Sequence, residues 1–528
     1  MPRPPVPRFI ADLFDDPTAR SGLLAGSVAL FAAALDPKVW GPSLPTVQSA
    51  IRDRPNLEAV VVVAMVAGSA VLLLGGAIGD TARARPIIVG GLTAVLLAGV
   101  VAVLVPSGPI FVASRFAGHA ASSLVIPASL ALVATSYQGI NRATAIGLAY
   151  GAYGAAGAGA PILLQLIPDQ RWPAFLVAIA ACTAALLFVR QRIPELTRPT
   201  APERPYVVGT ALWAFGVITT TVGLTWFSAS RTDPLRIGLV ATGLAFTVVA
   251  ILHDRRRRTG THAEVRIDRR PVAVAIFIGV VLGIAQTAAF LQLPLYFRFV
   301  LGYGPVVAVV ALAPLILALV VAGPVAGILL SRFSPRWLIG VGAALVGVAN
   351  LVLVLTATRS IGYVAFVVPL FLIGASYVVA TTVRTAVIFA SVPKGLPATA
   401  AALNETSISV GSRIGIVLVT AVVAQTALDA YATSVAGLPA AEAERALASF
   451  REVLVAVNTP SFNQVVAGLQ GVDVAPYLDA YLAGLHAALW FCGLVAVVGG
   501  TVAWALIGRR DALTTVYDHV DERTSATG

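Results

Sequence analysis

Long apolar runs separated by short polar segments dominate the hydropathy pattern of this chain. A helix needs about 20 mainly apolar residues to cross the hydrocarbon core of a bilayer. Fourteen runs approach or exceed that length, at about 21–45, 57–79, 86–106, 109–135, 142–167, 172–190, 206–227, 234–252, 271–297, 305–330, 336–357, 361–390, 396–426 and 484–507. The short alternating segments of a transmembrane β-barrel are not seen. The pattern therefore predicts an all-α polytopic membrane protein with 14 transmembrane helices.

An internal repeat divides these spans into two six-helix bundles with two extra helices between them. In "GAIGDTARARP", Arg85 follows Gly76 by nine residues, and in "GILLSRFSPRW", Arg336 follows Gly327 by nine. Both stretches follow the second span of their bundle, which predicts a pseudo-twofold relation between the bundles. The predicted segments are an N-terminal tail (1–20), a first bundle (21–195), two added helices (196–258), a basic linker (259–270), a second bundle (271–507) with a long outer loop (427–483), and a C-terminal tail (508–528).

Composition and the placement of charge argue against a soluble protein and against a nucleic-acid binder. The chain is 58% hydrophobic and 12% charged, whereas soluble proteins contain about 25% charged residues. The net charge of +11 comes from arginines beside span ends, and 23 of the 36 Lys and Arg residues lie on the same side as the N-terminus. Because cytoplasmic loops are enriched in Lys and Arg, both termini are predicted to be cytoplasmic. The excess of Arg over Lys is typical of a GC-rich bacterial genome, so we expect a bacterial plasma membrane.

The long outer loop contains a stretch that is typical of an amphipathic surface helix. In "LPAAEAERALASFREVLVAVN", the residues Leu447, Phe450, Leu454 and Val457 recur at helical spacing. This helix either caps the outer face or is an inert connector. The acidic residues of the loop are dispersed, which makes a membrane enzyme, such as a lipid-linked glycosyl transferase, a minor alternative.

Charged residues inside the predicted spans are costly in lipid and usually functional. They are Asp36, Lys38, Arg115, Arg384, Glu405 and Arg413, with His119 as a further titratable group. We expect Asp36 and Glu405 to be the proton-coupling acids, because burial and a nearby cation move a carboxyl pKa in opposite directions. Either Arg115 or Arg384 is the expected partner of Glu405, and a static ion pair that fixes helix packing is the alternative. His119 shares a helix face with Arg115 and either relays protons or packs.

Several motifs resemble those of the major facilitator superfamily, within its fourteen-helix branch rich in drug:proton antiporters. In that family the loop after the second span reads roughly Gly-x-Leu-x-Asp-Arg-x-Gly-Arg-Arg, and Gly76, Asp80 and Arg85 match it here. Three positions depart from the motif: Thr81, Arg83 and Ala84. The resemblance implies a cytoplasmic gate made of Gly76, Asp80, Arg83 and Arg85, in which Asp80 and the arginines latch one bundle to the other. A topology anchor with a helix cap is the alternative.

The first, fourth and fifth spans contain further partial matches to this branch. The first, "AALDPKVWGPSLPTVQ", resembles its Leu-Asp…Ala-Leu-Pro pattern. In the fourth, Pro127 follows Arg115 by twelve residues as in the branch, but Gly118 and His119 replace the family's Gln-Gly. The fifth, "GLAYGAYGAAGAGAPILLQL", resembles the antiporter signature, whose small residues let helices approach closely. The helix-packing residues expected there are Gly151, Gly154, Gly157 and Pro161.

These features predict a secondary transporter, in the first place a proton-coupled exporter of lipophilic or amphipathic small molecules that works by alternating access. Buried arginine exceeds buried acid, so a lipid, glycolipid or anionic metabolite is an alternative substrate. The expected cavity residues are Arg115, Arg384, Asn404 and Arg413. A non-transporting sensor or scaffold is a third possibility. We expect no metal and no cofactor other than the proton gradient, no nucleic acid, and a monomer whose partners are its substrate and the lipid bilayer.

Overall fold

Helices make up nearly all of the part of the molecule that the structure describes. The computed structural model describes residues 13–50, 71–81, 83–105, 107–165, 173–193, 207–225, 234–257, 269–330, 332–392, 396–456 and 475–507, and no β-strand occurs within these ranges. The helices are α1 Pro17–Ala50, α2 Val71–Thr81, α3 Ala84–Leu104, α4 Gly108–Ser136, α5 Gly139–Gln165, α6 Pro173–Arg192, α7 Val207–Thr225, α8 Pro234–Arg257, α9 Arg269–Ala285, α10 Thr287–Phe299, α11 Pro305–Val310, α12 Ala313–Leu330, α13 Pro335–Thr356, α14 Val364–Ser391, α15 Pro397–Ser434, α16 Ala440–Ala456 and α17 Ala475–Leu506. The predicted all-α fold class is confirmed.

The length and composition of these helices fit a protein that crosses the membrane many times. Among the described residues, nine helical segments are long and apolar enough to span a bilayer, and shorter apolar helices lie within α2, α7 and α8. The count of 14 spans stays a prediction, since parts of the predicted runs, such as 57–70, lie outside the described residues.

The first bundle consists of α1 to α6. Its first helix starts with Pro17 directly after Asp16, and the Asp16 carboxylate accepts the backbone N–H of Thr18 at 2.8 Å. Proline suits the first helical position and aspartate the capping position before it, so the local sequence specifies this start. Helix α1 packs against α4, α5 and α6, while α3 packs against α4 and α6.

The second bundle consists of α9 to α15 and α17, and two of its predicted spans, although each is long and apolar enough to cross the membrane as one segment, contain a short turn. The run 271–297 is divided into α9 and α10 at Gln286, and the run 305–330 is divided into α11 and α12 by a turn at Ala311–Leu312. Gln286 donates a hydrogen bond from Nε2 to the hydroxyl of Ser412 on α15 at 3.1 Å. A polar side chain therefore lies at the break and binds a neighbouring helix.

The predicted amphipathic helix in the outer loop is confirmed as α16, while Val457, the last residue of the predicted apolar stripe, lies outside the described residues. Phe450 on its apolar face is buried and stacks on Tyr431 of α15 with ring centroids 4.5 Å apart, while Tyr477 of α17 lies 5.2 Å from Phe450. Helix α15 continues to Ser434 and α17 starts at Ala475, so the connection is shorter than the predicted loop. The aromatic cluster attaches α16 to the outer ends of α15 and α17.

Two pairs of helices make the most extensive contacts between the bundles. Helix α2 packs against α15 and α5 packs against α12, so the second helix of each bundle contacts the fifth helix of the other. A pseudo-twofold axis between the bundles requires such reciprocal contacts. The two added helices pair with each other, and α7 also contacts both α2 and α15. The seam between α2 and α15 is therefore covered by a third helix.

Candidate functional site

One carboxylate joins the end of α2 in the first bundle to the start of α15 in the second. Asp80 Oδ1 accepts the backbone N–H of Ala398 at 2.7 Å, and Oδ2 accepts the backbone N–H of Thr399 at 3.0 Å. The first N–H groups of a helix have no acceptor within the helix and form the positive end of its dipole. Asp80, which is 2% exposed, therefore caps a helix of the opposite bundle.

The surroundings of Asp80 differ from those of the neighbouring arginines. Asp80 lies at the membrane-surface end of α2, one residue beyond the apolar run that ends at Gly79, and burial raises its pKa to about 6 although N–H groups donate to it. Arg83 is exposed. Arg85 donates to the backbone carbonyl of Arg190 at 3.2 Å, a bond that stays within the first bundle. In this loop the cross-bundle hydrogen bonds that the structure describes are thus those that the Asp80 carboxylate accepts.

Glycines allow the bundles to approach closely at both seams. A Cβ added to Gly76 on α2 would lie 2.6 Å from the Cβ of Ala402 on α15, and one added to Gly147 on α5 would lie 2.1 Å from the carbonyl oxygen of Gly323 on α12. Real Cβ contacts are longer than this, so any larger residue would push the helices apart. The sequence analysis identified Gly76 but not Gly147, which comes closer to the other bundle.

An apolar layer from both bundles lies next to Asp80. It contains Leu130, Ala134, Ile146, Val272, Ala275, Ile388, Phe389, Val392, Ala400 and Ala401, with the ring of Tyr150 at its edge. On α15 the order is Ala398 and Thr399 at the Asp80 contact, then this layer, then Asn404 and Glu405. Seven residues separate Ala398 from Glu405, which is about 10 Å along a helix axis. The layer therefore separates Glu405 from the Asp80 end of the molecule.

Glu405 is buried at the interface between the bundles and is held from both sides. Its side chain is on α15, it is 5% exposed, and its Oε1 accepts the hydroxyl of Tyr150 from α5 of the first bundle. The same oxygen accepts Nδ2 of Asn404 at 3.1 Å, from the second bundle. Hydrogen bonds to an ionised acceptor are roughly twice as strong as neutral ones. The charge state of Glu405 therefore affects a bond that connects the two bundles.

Neighbouring polar groups complete a network around this carboxyl. Asn404 also donates to the hydroxyl of Tyr150, and its Oδ1 accepts the hydroxyl of Thr385 from α14 at 2.9 Å. Asn404 and Thr385 are fully buried. Since a buried polar network costs stability unless its members are satisfied, this one fixes the position of the Tyr150 hydroxyl. Asn404, an expected cavity residue, is a member of this network.

Arg384 lies beside Glu405, and its hydrogen bonds in the described structure go to uncharged oxygens. Its Nη1 donates to the hydroxyl of Ser407 at 2.7 Å and to the carbonyl of Ala275 at 3.1 Å, and its Nη2 donates to the carbonyl of Asn404 at 3.3 Å. Arg384 is fully buried. It forms no ion pair with Glu405 within 4.0 Å among the described residues, so the expected direct partner is replaced by the Tyr150 hydroxyl.

The second intramembrane acid lies inside the first bundle. Asp36 Oδ1 on α1 is 3.3 Å from Nη1 of Arg115 on α4, and both residues are buried. Arg115 therefore pairs with Asp36 and not with Glu405. Gly118, one turn along α4, lies against this pair, since an added Cβ would be in ordinary contact with both charged groups at 3.7 Å. His119 follows Arg115 by one turn and is half-buried.

The remaining predicted residues lie on α5 and α15. Gly151 and Gly154 face Val320 and Leu319 of α12, consistent with close helix packing. Gly157 and Arg413 are half-buried. Pro161 lies within α5, and its side chain, like that of Lys38 in α1, is outside the described part of the structure. Among the described residues, no group of three or more His, Cys, Asp or Glu could hold a metal ion.

Sequence reasoning missed Tyr150, Thr385 and Ser407. Tyrosine, threonine and serine occur commonly in apolar helices, so their presence alone does not indicate a functional role. The stretch "GLAYGAYG" did contain a signal, because large polar rings at Tyr150 and Tyr153 stand among small residues. Their helical spacing of three places both on one face, and the two rings pack edge to face with centroids 6.4 Å apart.

Comparisons with known proteins agree with this architecture. Residues 26–416 match the sequence model of the Major Facilitator Superfamily. The puromycin resistance protein pur8 of Streptomyces alboniger is 29% identical over 348 residues, which cover 64% of this chain and 68% of that protein. The tetracenomycin C resistance and export protein of Streptomyces glaucescens is 23% identical over 492 residues, which cover 91% of this chain and 90% of that protein. The human organic anion transporter MFSD10 (TETRAN) has a similar fold, with a TM-score of 0.56 at 14% identity over 92% of this chain and 100% of that one.

Proposed function

Because this chain belongs to the Major Facilitator Superfamily, a family of membrane transporters and not of enzymes, we propose that it is a proton-coupled exporter of lipophilic or amphipathic small molecules. Two relatives are named for antibiotic resistance, and one of them also for export, which supports the direction and the substrate class. We place it in a bacterial plasma membrane with both termini in the cytoplasm, as the arginine distribution favours.

The observation that carries the coupling proposal is the hydrogen bond from Tyr150 to Glu405 across the bundle interface. An ionised Glu405 binds this hydroxyl strongly and holds the bundles together. A protonated Glu405 is a weaker acceptor, so the bundles separate more easily at this level. Proton binding at one membrane face would thus favour the opposite arrangement, which is what alternating access needs.

Asp80 supplies the gate in this proposal. In the arrangement seen here its carboxylate closes the α2–α15 seam, and the apolar layer seals the space between it and Glu405. Protons and substrate would then reach Glu405 from the far side. Opening the Asp80 end breaks both hydrogen bonds from the N–H groups to Asp80 and exposes the apolar layer. The gate at Asp80 therefore opens in the same movement that changes which side of the membrane Glu405 faces.

A second substrate class, anionic or zwitterionic lipid-like molecules, is favoured by Arg384. The guanidinium is buried and binds uncharged oxygens, so protonation of the neighbouring Glu405 leaves its charge available to attract an anion once the bundles part. Arg115 gives weaker support, because Asp36 neutralises it.

The test is proton movement in inside-out membrane vesicles. Cationic dyes, anionic dyes and lipids are added in turn to wild type, Glu405→Gln and Asp36→Asn, with Glu442→Gln as a matched control because that acid is exposed on α16. We expect one compound class to collapse the pH gradient with wild type and Glu442→Gln but not with Glu405→Gln. Full activity in Glu405→Gln would overturn the coupling role. A folded wild type that moves protons with none of the compounds would overturn proton-coupled export.

A further inference from the structure

A cluster of arginine and tryptophan lies at the end of the second bundle where α12 ends and α13 begins. We define the arginine–tryptophan patch as Arg332, Arg336, Trp337 and Trp504. The Arg336 guanidinium carbon lies 4.0 Å from the centroid of the Trp504 ring on α17, and the Trp337 ring packs edge to face on Trp504 at 5.3 Å. Arg332 is exposed, and Trp337 is 52% exposed. The patch is therefore ordered by stacking and open to the surroundings.

Two buried donors in this patch have no acceptor among the described residues. Nε of Arg336 and Nε1 of Trp504 are both shielded from solvent and make no hydrogen bond. Leaving a buried donor unsatisfied is destabilising, and most such groups have a partner in native structures. Two adjacent cases on neighbouring helices point to an acceptor that the described residues do not supply.

The helices that build the patch carry little negative charge. Residues 269–404, which include α12 and α13, contain no Asp and no Glu, and the described part of α17 contains one acid, Asp479, near its opposite end. The two arginines of the patch are thus not balanced by an acid on the described parts of these helices, and tryptophan and arginine favour the interface with lipid headgroups.

An apolar track leads from the patch along the membrane-facing side of the bundle. On α13 the exposed residues Trp337, Val341, Leu345, Val348 and Val352 recur every three or four positions, and α17 exposes Leu494, Val498 and Val502. Helices α13 and α17 pack closely, since Cβ atoms added to Gly340 or Gly347 would clash with Trp504 or Gly493. The track borders this seam and has the length of an acyl chain.

We infer that the arginine–tryptophan patch is a binding site for an anionic phospholipid. The lipid phosphate would accept hydrogen bonds from the guanidinium groups of Arg332 and Arg336, and an acyl chain would lie on the track between α13 and α17. Arginine suits this role because its planar donors match a phosphate. The site is separate from the Asp80 contact and from Glu405, so it does not depend on the transport proposal.

Native mass spectrometry of the purified full-length protein tests this assignment, with phosphatidylglycerol and phosphatidylcholine as probes. Each arginine near an anionic lipid contributes about 1 kcal/mol. We therefore expect about fivefold weaker phosphatidylglycerol binding in Arg336→Ala and about thirtyfold in the double variant with Arg332→Ala. The matched control is Arg298→Ala, because Arg298 also stacks on an aromatic ring, that of Phe299 at 5.4 Å, but at the other end of the bundle. It should bind like wild type.

Three results would overturn the inference. Equal affinity for the two lipids would indicate a non-specific lipid shell, and equal losses in the patch and control variants would indicate general attraction of charge. Competition by inorganic phosphate at concentrations equal to those of the lipid would indicate a soluble anion. Should Arg336→Ala unfold, Trp504→Phe keeps the charge while removing the indole N–H. Unchanged binding in Trp504→Phe and in Arg332→Ala would then equally refute the site.

Discussion

The hydroxyl of Tyr150 provides the sharpest test of how a proton could move the bundles. Replacing Tyr150 with Phe removes the donor to Glu405 and the acceptor for Asn404, and leaves the ring in place. The ring packs edge to face on Tyr153 at 6.4 Å, so its packing should survive. Of the two hydrogen bonds recorded for Glu405 Oε1, the one from Tyr150 crosses the interface, and the one from Asn404 stays within the second bundle.

The size of the effect follows from the type of bond that is lost. Hydrogen bonds to charged groups contribute about 1.5–3 kcal/mol, and neutral ones about 0.5–1.5 kcal/mol. Because each 1.4 kcal/mol is a factor of about ten, Tyr150→Phe should shift the equilibrium between closed and open arrangements by about ten- to a hundredfold toward open. In a Glu405→Gln background the acceptor is neutral, and the same change should shift the equilibrium by about ten-fold or less.

The equilibrium is measurable as a distance between the bundles at the Asp80 end. Cysteines introduced at Gln191 on α6 and Arg270 on α9 are exposed at this end in different bundles, and spin labels there report their separation by pulsed electron resonance. The native Cys182 and Cys492 are both buried, so background labelling should be low. Measurements near pH 8 keep Asp80 ionised in both variants.

Tyr153→Phe is the matched control, since it removes a hydroxyl one helical turn away on the same face. It should leave the distance distribution unchanged. A Tyr150→Phe distribution equal to that of wild type would refute the proposed clamp. An equal shift in both tyrosine variants would show that general packing of α5, and not the bond to Glu405, sets the equilibrium.

Three further outcomes follow from the other contacts between and within the bundles. Burial in the closed arrangement raises the pKa of Asp80 from its ordinary 3.8 to about 6, and we expect opening to return it toward 3.8; lowering the pH from 7 to 5 should therefore favour closure in the Glu405→Gln variant, but not after Asp80→Ala. Gly147→Val should prevent closure and abolish vesicle transport, because its Cβ would lie 2.1 Å from the backbone carbonyl oxygen of Gly323. Gly90→Val is the control and should leave closure and transport unchanged, because a Cβ at Gly90 has no neighbouring atom within 4 Å. Asp36→Asn leaves Arg115 buried without its counter-charge, and thermal unfolding should show a loss of about 3–5 kcal/mol.

The fold was predictable because membrane helices follow a simple rule of length and apolar composition. The turn at Gln286 was not predictable, since Gln286 lies in a run as apolar as its neighbours, and its hydrogen bond to Ser412 depends on which helices become adjacent. The same distinction applies to the site. Charged residues such as Asp80 and Glu405 stand out in an apolar chain, but Tyr150 acquires its role from the face that α5 turns toward α15. The spacing of residues in the sequence predicts which side chains share a face of one helix. The interface between the bundles depends on which helices become neighbours, and spacing does not give that.

The two intramembrane acids illustrate why their surroundings must be known before roles are assigned. The bond between Asp36 and Arg115 joins two helices of one bundle, and those helices move together when the bundles rock. Its energy is then the same in both arrangements, and a ligand or proton that interacts equally with two states cannot shift their balance. Glu405 differs, because its bond to Tyr150 exists in the closed arrangement and must lengthen when the bundles part. We infer that protonation of Glu405 changes the conformation, whereas loss of Asp36 chiefly lowers the stability of the first bundle.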